Sequence, residues 1–146
     1  MSTEQNKTHA NQFVEEVINA GQVDRATAFF VTDYVDHAPV PPGFPTGVAG
    51  LQQYFTLFRQ AFPDLHYTVE DTVAEGDKVV QRLIGHGTMQ GEFLGMLPTG
   101  KPATWTEIHI TRAGPDGKFV EHWANVDQVS MLQQLGVIPT PEQVPG

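Results

Sequence analysis

The second half of the chain contains two pairs of β-rich runs, and a short turn sequence joins the members of each pair. In residues 65–89, LHYTVEDTVAEGDKVVQRLIGHGTM, the turn EGD separates two such runs, which is typical of a β-hairpin. The runs ATWTEIHITR and KFVEHWANV predict a second hairpin around AGPDG. Because hairpins join antiparallel strands, these runs restrict the chain to folds that contain an antiparallel sheet.

The first half of the chain shows the periodicity of helices instead. One buried helix face is indicated by the i, i+3, i+4 spacing of Ala10, Phe13, Val14, Val17 and Ile18. Gly21 ends this segment, a shorter helix is predicted after Asp24, and further helices are predicted over residues 48–62 and 126–136. Helices that precede an antiparallel sheet predict an α+β fold in which the helices cover one face of the sheet.

Two segments are predicted to be irregular. DYVDHAPVPPGFPTG contains four prolines and two glycines, and QGEFLGMLPTGKP, between the hairpins, is also rich in glycine and proline. No linker divides the chain, so we expect one domain over residues 1–146, with a core of about residues 8–136 and a tail over 137–146.

The composition excludes several classes of function. The formal net charge of -9 argues against binding of nucleic acid and against docking on anionic membranes. No apolar run approaches the ~20 residues that cross a bilayer, and the polar N-terminus lacks the apolar stretch of a secretory signal. We therefore expect a cytoplasmic protein. The chain has no cysteine, so disulfides and thiol nucleophiles are excluded.

A carboxylate and an imidazole share one face of the strand that contains TEIHITR. Strand alternation places Glu107 and His109 on one side and Ile108 and Ile110 on the other. Antiparallel strands usually turn their polar face to water, which favours Glu107 and His109 in solvent and the isoleucines beneath the helices. The opposite arrangement, with the acid and the imidazole in a pocket, stays open because alternation does not identify the inner face.

The last strand, in KFVEHWANV, has the same ambiguity. Alternation places His122 and Ala124 on one face, and Phe119, Glu121 and Trp123 on the other. If the face with His122 is the inner one, this histidine joins the carboxylate and imidazole of the neighbouring strand. Groups that titrate differently in one dry cavity can act as base and as proton donor on a carbonyl compound.

Several motifs occur in an order that resembles one known family. DYVDHAP, FRQAFPDLHYTVEDTVAEGDKVV, GEFLGMLPTGK, DGKFVEHWANVD and QQLG together resemble the SnoaL-like polyketide cyclases (ester cyclases) of the NTF2-like superfamily. The resemblance runs from the first predicted helix to Gly136. It implies an NTF2-like, cone-shaped α+β barrel, in which N-terminal helices pack on a curved, mostly antiparallel sheet and enclose a pocket. It also implies a homodimer or a higher homo-oligomer formed through the outer face of the sheet.

The resemblance implies that Glu107 and His109 point into the pocket, the reverse of the arrangement that strand polarity favours. His109 matches a histidine of the cyclases. Glu107 stands where they carry a glutamine, and Asp36 stands where they carry an asparagine. His122, on the last strand, would also face inward.

At two positions the chain departs from the pattern of this family. The cyclases carry their acid/base aspartate at the position of Ala124, and many members have a histidine at the position of Met89. The group that moves protons in the cyclases is therefore missing from its usual place, and the reaction cannot be transferred unchanged.

Together with the resemblance, which implies aldol chemistry without a cofactor or a metal, these residues predict a proton-transfer enzyme. It would perform an aldol cyclisation or an isomerisation on a hydrophobic carbonyl compound. Glu107 is the predicted base. Burial would raise its pKa toward neutrality, and a protonated His109 nearby would oppose that rise. His109 is the predicted donor or electrophile. His122 would orient the substrate or hold Glu107, and Asp36 would be a second acid or would fix His37. The predicted substrate-binding residues are His37, Met89, Phe93, Trp105 and Ala124.

Other functions stay open. The same pocket could serve hydrolysis, dehydration or assisted hydroxylation, and the resemblance includes relatives that take part in hydroxylation. A third possibility is a protein that binds an apolar small molecule without catalysis. The alanine at position 124 favours the binding protein, whereas Glu107 and His109 on one face favour an enzyme.

Overall fold

The computed structural model describes residues 2–38 and 41–143, and it contains a sheet of five strands in the order β1-β5-β4-β3-β2. The strands are β1 Phe30–Asp36, β2 His66–Glu75, β3 Lys78–Thr88, β4 Pro102–Ala113 and β5 Phe119–Val126. β1 pairs with β5 in parallel, whereas the other neighbours are antiparallel. Both predicted hairpins, β2-β3 and β4-β5, are therefore confirmed.

The α-helices are α1 Thr3–Phe13, α2 Gly47–Ala61 and α3 Gln128–Gln134. A π-helix over Val14–Asn19 continues α1, and 3-10 helices occupy Val23–Ala28 and Pro141–Gln143. The first helix begins after Ser2, which forms a capping box with Gln5, in which each side chain accepts a hydrogen bond from the other's backbone N–H. None of the helices in the described ranges combines the length and the apolar character that crossing a membrane requires.

Strand β1 differs from the prediction for the first half of the chain. Phe30, which was predicted on a helix, begins this strand, and its second half lies in the segment predicted to be irregular. The α+β class is confirmed, with a mostly antiparallel sheet. Within the described residues the edge strands β1 and β2 do not pair with each other, so the sheet is open rather than closed into a barrel.

A β-bulge changes which residues of β5 face the helices. The pairing register shifts between Arg112 and Ala113, which leaves Val120 as an extra residue in β5. Phe119 therefore turns to the inner face, where it is buried in a hydrophobic cluster. The prediction that Phe119 shares the outer face with Trp123 is wrong, because simple alternation does not hold across a bulge.

Gly85 brings two aromatic rings together across the sheet. It lies on β3 opposite Tyr67 of β2 and opposite Trp105 of β4. A Cβ atom at this position would lie 2.7 Å from Cε1 of Tyr67 and 2.8 Å from Cε2 of Trp105. Without it the two rings close over the glycine and meet edge-on, with centroids 6.1 Å apart.

We expect Gly85→Ala to lower the free energy of unfolding by about 1–3 kcal/mol, because the added methyl group must displace the ring of Tyr67 or Trp105. Urea denaturation measures this loss. Gly87→Ala is the matched control on the same strand: its Cβ would approach Phe62 only to 3.1 Å, so a smaller loss is expected. A Gly85→Ala variant that is more stable than wild type would contradict the close packing, since alanine is otherwise better tolerated in strands than glycine.

Candidate active site

The helices and the inner face of the sheet enclose a cavity of about 850 Å³. Most of its wall is apolar, and its aromatic side chains are Phe13, Phe30, Phe44, Tyr54, Phe55, Phe58, Phe93 and Phe119, together with Tyr34, Tyr67 and Trp105. Four titratable groups from β1, β4 and β5 lie next to each other in the wall, Asp36, Glu107, His109 and His122, and the exposed Asp33 of β1 also lines it. The cavity therefore combines the volume and apolar lining of a small-molecule site with a compact polar region.

Glu107 and His109 lie on the inner side of the sheet. Both line the cavity, whereas Ile108 between them lies on the outer face and is 48% exposed. The arrangement that strand polarity favoured is wrong, and the one implied by the family resemblance is found. The physical reason is that the helices leave a hollow over this part of β4, so these polar side chains are not pressed into a packed apolar core.

The four titratable groups form one continuous chain of hydrogen bonds. Nε2 of His109 lies 2.7 Å from Oε1 of Glu107, and Nδ1 of His109 lies 2.8 Å from Nε2 of His122. Nδ1 of His122 lies 2.9 Å from Oδ1 of Asp36. Two imidazoles are thus joined to each other, and each is also joined to a carboxylate. We call this arrangement, Glu107–His109–His122–Asp36, the proton chain.

Two further donors hold the Glu107 end of the proton chain. The Tyr67 hydroxyl and Nε1 of Trp105 donate to Oε2 of Glu107 over 2.6 Å and 2.7 Å. Burial raises the pKa of Glu107, but the hydrogen bond and charge of His109, with the two further donors, outweigh it and lower the pKa overall. The predicted rise toward neutrality is therefore wrong, because three donors stabilise the ionised carboxylate.

The Asp36 end is held in a similar way. Its Oδ2 accepts from the Tyr34 hydroxyl and its Oδ1 from the backbone N–H of Ala38, each over 2.9 Å. Burial raises the pKa of Asp36, but the hydrogen bonds and the nearby His122 lower it overall. Burial also lowers the pKa of His122, and the favourable contact with Asp36 compensates for this only in part. Burial and Asp36 together raise the pKa of Tyr34 well above its ordinary range.

The number of protons in the proton chain follows from its three hydrogen bonds. When both carboxylates are ionised, the three links between the four groups require three protons on the four ring nitrogens. Two neutral imidazoles supply only two, so the fully bonded chain contains one additional proton. Without that proton, both N–H groups point at the carboxylates, and the lone pairs of His109 Nδ1 and His122 Nε2 face each other. The two arrangements of the chain therefore differ by one proton on the two histidines.

The remaining predicted site residues divide into two groups. Phe93, Trp105 and Ala124 line the cavity, as expected for substrate-binding positions. Met89 is instead fully buried in the hydrophobic cluster beside the cavity. His37 lies on the outer face, where its ring stacks on Trp123 and its Nε2 lies 2.7 Å from a Glu121 oxygen. Neither Met89 nor His37 is part of the cavity wall, so the geometry does not support the substrate-binding roles predicted for them.

Two tyrosines of the site were not predicted. Tyr34 and Tyr67 fix the carboxylates at opposite ends of the proton chain. Tyr67 could have been identified from the hairpin register, which places it opposite Gly85 and near Trp105. Tyr34 could have been found only if β1 had been recognised as a strand, because alternation places Tyr34 and Asp36 on one face.

Acidification is expected to destabilise the folded protein through the proton chain. The folded-state pKa values of His122, Glu107 and Asp36 lie below their ordinary values of 6.5, 4.5 and 3.8. The unfolded chain therefore binds protons at these positions at a higher pH than the folded protein, and acid favours unfolding. The contribution of His122 is lost as the pH falls below 6.5, and those of the carboxylates are lost as it falls below 4.5.

Urea denaturation at a series of pH values, for wild type and for His122→Asn, measures the contribution of this histidine. We expect the stability of wild type to decline more steeply than that of His122→Asn between neutral pH and mildly acid pH. A steeper decline for the variant would contradict the lowered pKa of His122.

Comparison with known proteins identifies the family of this chain. A sequence profile of the SnoaL-like polyketide cyclases matches residues 8–135. A search of curated proteins found no significant match. Among solved structures, IdmH from Streptomyces antibioticus, a proposed polyketide cyclase, is 35% identical with a TM-score of 0.78, over 91% of this chain and 99% of IdmH.

Two other solved structures extend the similarity. AclR from Streptomyces galilaeus, a proposed hydroxylase, is 29% identical with a TM-score of 0.81, over 99% of this chain and 87% of AclR. TsrD from Streptomyces laurentii is 25% identical with a TM-score of 0.84, over 94% of this chain and 99% of TsrD. With the family profile matched over nearly its whole length, the chain belongs to the SnoaL-like polyketide cyclase family.

Proposed function

We propose that the protein is a cofactor-independent enzyme that transfers protons on a hydrophobic carbonyl compound, in an aldol cyclisation or an isomerisation. The observation that supports this most directly is the proton chain in the wall of an apolar cavity. Membership of the polyketide cyclase family and the similarity to IdmH support the same class of reaction.

The imidazoles are the groups that contact the substrate in this proposal. The side chain of Glu107 is 6% exposed, whereas those of His109 and His122 are 18% and 16% exposed. Both oxygens of Glu107 are also occupied by donors. Glu107, predicted from the sequence as the base, therefore acts as a positioning residue that holds His109 and stabilises its charge.

The base is the pair of ring nitrogens that face each other, Nδ1 of His109 and Nε2 of His122. In the state without the additional proton, both nitrogens carry lone pairs, and either of them can accept a proton. A C–H bond next to the substrate carbonyl breaks, an N–H bond forms on one imidazole, and the electron pair moves to the carbonyl oxygen as an enolate. The enolate then takes the proton back on another atom, or attacks a second carbonyl whose oxygen receives the proton.

This mechanism accounts for the alanine at position 124. Ala124 is the cross-strand partner of His109, so the aspartate that the cyclases carry at this position would lie beside the same imidazole. In this chain the carboxylate that supports His109 is Glu107, from the same strand. The acidic group has moved to the other side of the imidazole, and the histidine pair takes the acid/base role.

A non-catalytic binding protein is the second candidate, and Ala124 is the observation that favours it. In that case the cavity would hold an apolar ligand without changing it. Among the comparisons described above, only the similarity to AclR suggests a role in hydroxylation. Proton exchange between solvent and a bound ketone separates the enzyme from the binding protein.

We also propose that the outer face of the sheet forms a homodimer. An apolar row crosses four strands there, because Val73, Val80, Ile110 and Trp123 are successive cross-strand partners. Ile108 lies on the same face, and Val73 and Ile108 are 59% and 48% exposed. A second copy of the chain would remove this apolar surface from water.

The proposed proton transfer is tested with 1-tetralone in D₂O, by following exchange of the protons next to its carbonyl by NMR. Wild type is expected to accelerate exchange over buffer. Glu107→Gln is expected to slow it by about 10²–10⁴-fold, because the ionised partner of His109 is lost. Glu75→Gln, on an exposed carboxylate outside the cavity, is the matched control and should exchange at the wild-type rate.

The double variant Glu107→Gln/Ala124→Asp extends this test. It moves the carboxylate to the position used by the cyclases, so we expect part of the lost exchange to return. Binding of 1-tetralone by wild type without any accelerated exchange would contradict the enzyme and support the binding protein.

The proposed homodimer is tested by size-exclusion chromatography with light scattering. Wild type is expected at twice the monomer mass of 16.1 kDa. Ile108→Asp is expected to shift the protein to the monomer, because a charge enters the apolar face. Val129→Asp, at an exposed valine of α3, is the control and should remain dimeric. A monomeric wild type would contradict the proposal.

A further inference from the structure

Two buried polar side chains in the cavity wall present atoms without a hydrogen-bond partner. Gln81 on β3 and Thr111 on β4 are each only 4% exposed, and both line the cavity. Within residues 2–38 and 41–143, the Thr111 hydroxyl makes no hydrogen bond, and the Gln81 side chain makes one, from Nε2 to Oδ1 of Asn11 over 2.9 Å. The carbonyl oxygen of Gln81 is therefore unpaired.

These unpaired atoms open on the cavity rather than being enclosed by protein. In the part of the chain that the structure describes, the one completely enclosed side-chain atom without a partner is Oδ1 of Asn6, far along α1 from this pair. An unpaired polar atom in an apolar wall costs free energy unless a ligand or water supplies the missing partner. Gln81 and Thr111 thus mark a place where the bound molecule has a polar group.

The position of Gln81 and Thr111 relates them to the proton chain. Gln81 is the cross-strand partner of His109, and Thr111 is the cross-strand partner of His122. Neighbouring strands are about 4.8 Å apart, so the pair lies about one strand spacing from the imidazoles. Both belong to the same inner face as His109, because they line the same cavity.

The amide of Gln81 is fixed by a hydrogen bond to α1. Oδ1 of Asn11, on α1, accepts from Gln81 Nε2 and also from the Thr72 hydroxyl on β2, over 2.9 Å and 3.0 Å. The amide nitrogen of Gln81 is therefore hydrogen-bonded to α1, and its carbonyl oxygen remains for a partner in the cavity. Gln81 therefore offers an acceptor to a ligand, and the Thr111 hydroxyl can donate or accept.

We propose that Gln81 and Thr111 form a subsite that binds a hydroxyl group of the substrate. The substrate hydroxyl donates its hydrogen to the carbonyl oxygen of Gln81, and its oxygen accepts from the hydroxyl of Thr111. The substrate is then a hydrophobic carbonyl compound with an alcohol or phenol about 5 Å from the atom that the imidazoles deprotonate, one strand spacing away. This inference rests on the proposed function, because it takes the cavity as the substrate site.

The subsite is tested by binding of 1-tetralone and of its 5-, 6- and 7-hydroxy derivatives, measured by calorimetry. Wild type is expected to bind at least one hydroxy derivative about threefold to tenfold more tightly than 1-tetralone, which is the effect of one net hydrogen bond. In Gln81→Met and in Thr111→Val, which remove the polar atoms and keep the volume, the ratio of the two affinities should fall close to one.

The matched controls are Gln53→Met and Thr68→Val, at exposed positions outside the cavity, which should keep the wild-type ratio. Thermal melts identify a variant that does not fold, in which case the other variant decides the result. A wild type without preference for any hydroxy derivative, or variants that keep the preference, would overturn the subsite. Exchange of 1-tetralone protons distinguishes the two proposals: exchange without hydroxyl preference contradicts only the subsite, and preference without exchange contradicts only the enzyme.

Discussion

The hydrogen bond between the two imidazoles, from His109 Nδ1 to His122 Nε2, joins two carboxylate–histidine pairs into one unit. Each pair alone would resemble a common arrangement, in which an acid orients a base. Joined, they form one continuous chain of hydrogen bonds that runs from Glu107 to Asp36. The cavity, the donors at both ends and the apolar wall all serve to keep this unit in place and out of bulk water.

The scaffold around the proton chain is rigid for identifiable reasons. Gly85 permits the close packing of Tyr67 and Trp105, and these rings in turn direct two donors at Glu107. At the other end, the parallel pairing of β1 with β5 places Asp36 opposite His122. Strand positions rather than loops therefore fix all four groups, which is the arrangement that keeps catalytic geometry accurate.

The hairpins and the shared face of Glu107 and His109 follow from patterns that depend only on neighbours in the chain. Turn residues and alternation are local, and so is the capping of α3 by Asp127, which accepts from the N–H of Ser130. The inner face could not be chosen from polarity, because a polar cavity wall and a wet surface have the same composition. β1 was missed since its parallel partner is remote in sequence, and the bulge at Val120 and the link between His109 and His122 depend on register between strands.

The pairing of β1 with β5 has a consequence for how the protein is made. Asp36 and His122 are 86 positions apart in the chain, and the strand that contains His122 is the last of the sheet to be synthesised. Contacts between remote segments form late, because closing a long loop costs entropy before any contact repays it. A nascent chain on the ribosome therefore has an incomplete proton chain, which is closed only when the first and last strands of the sheet meet.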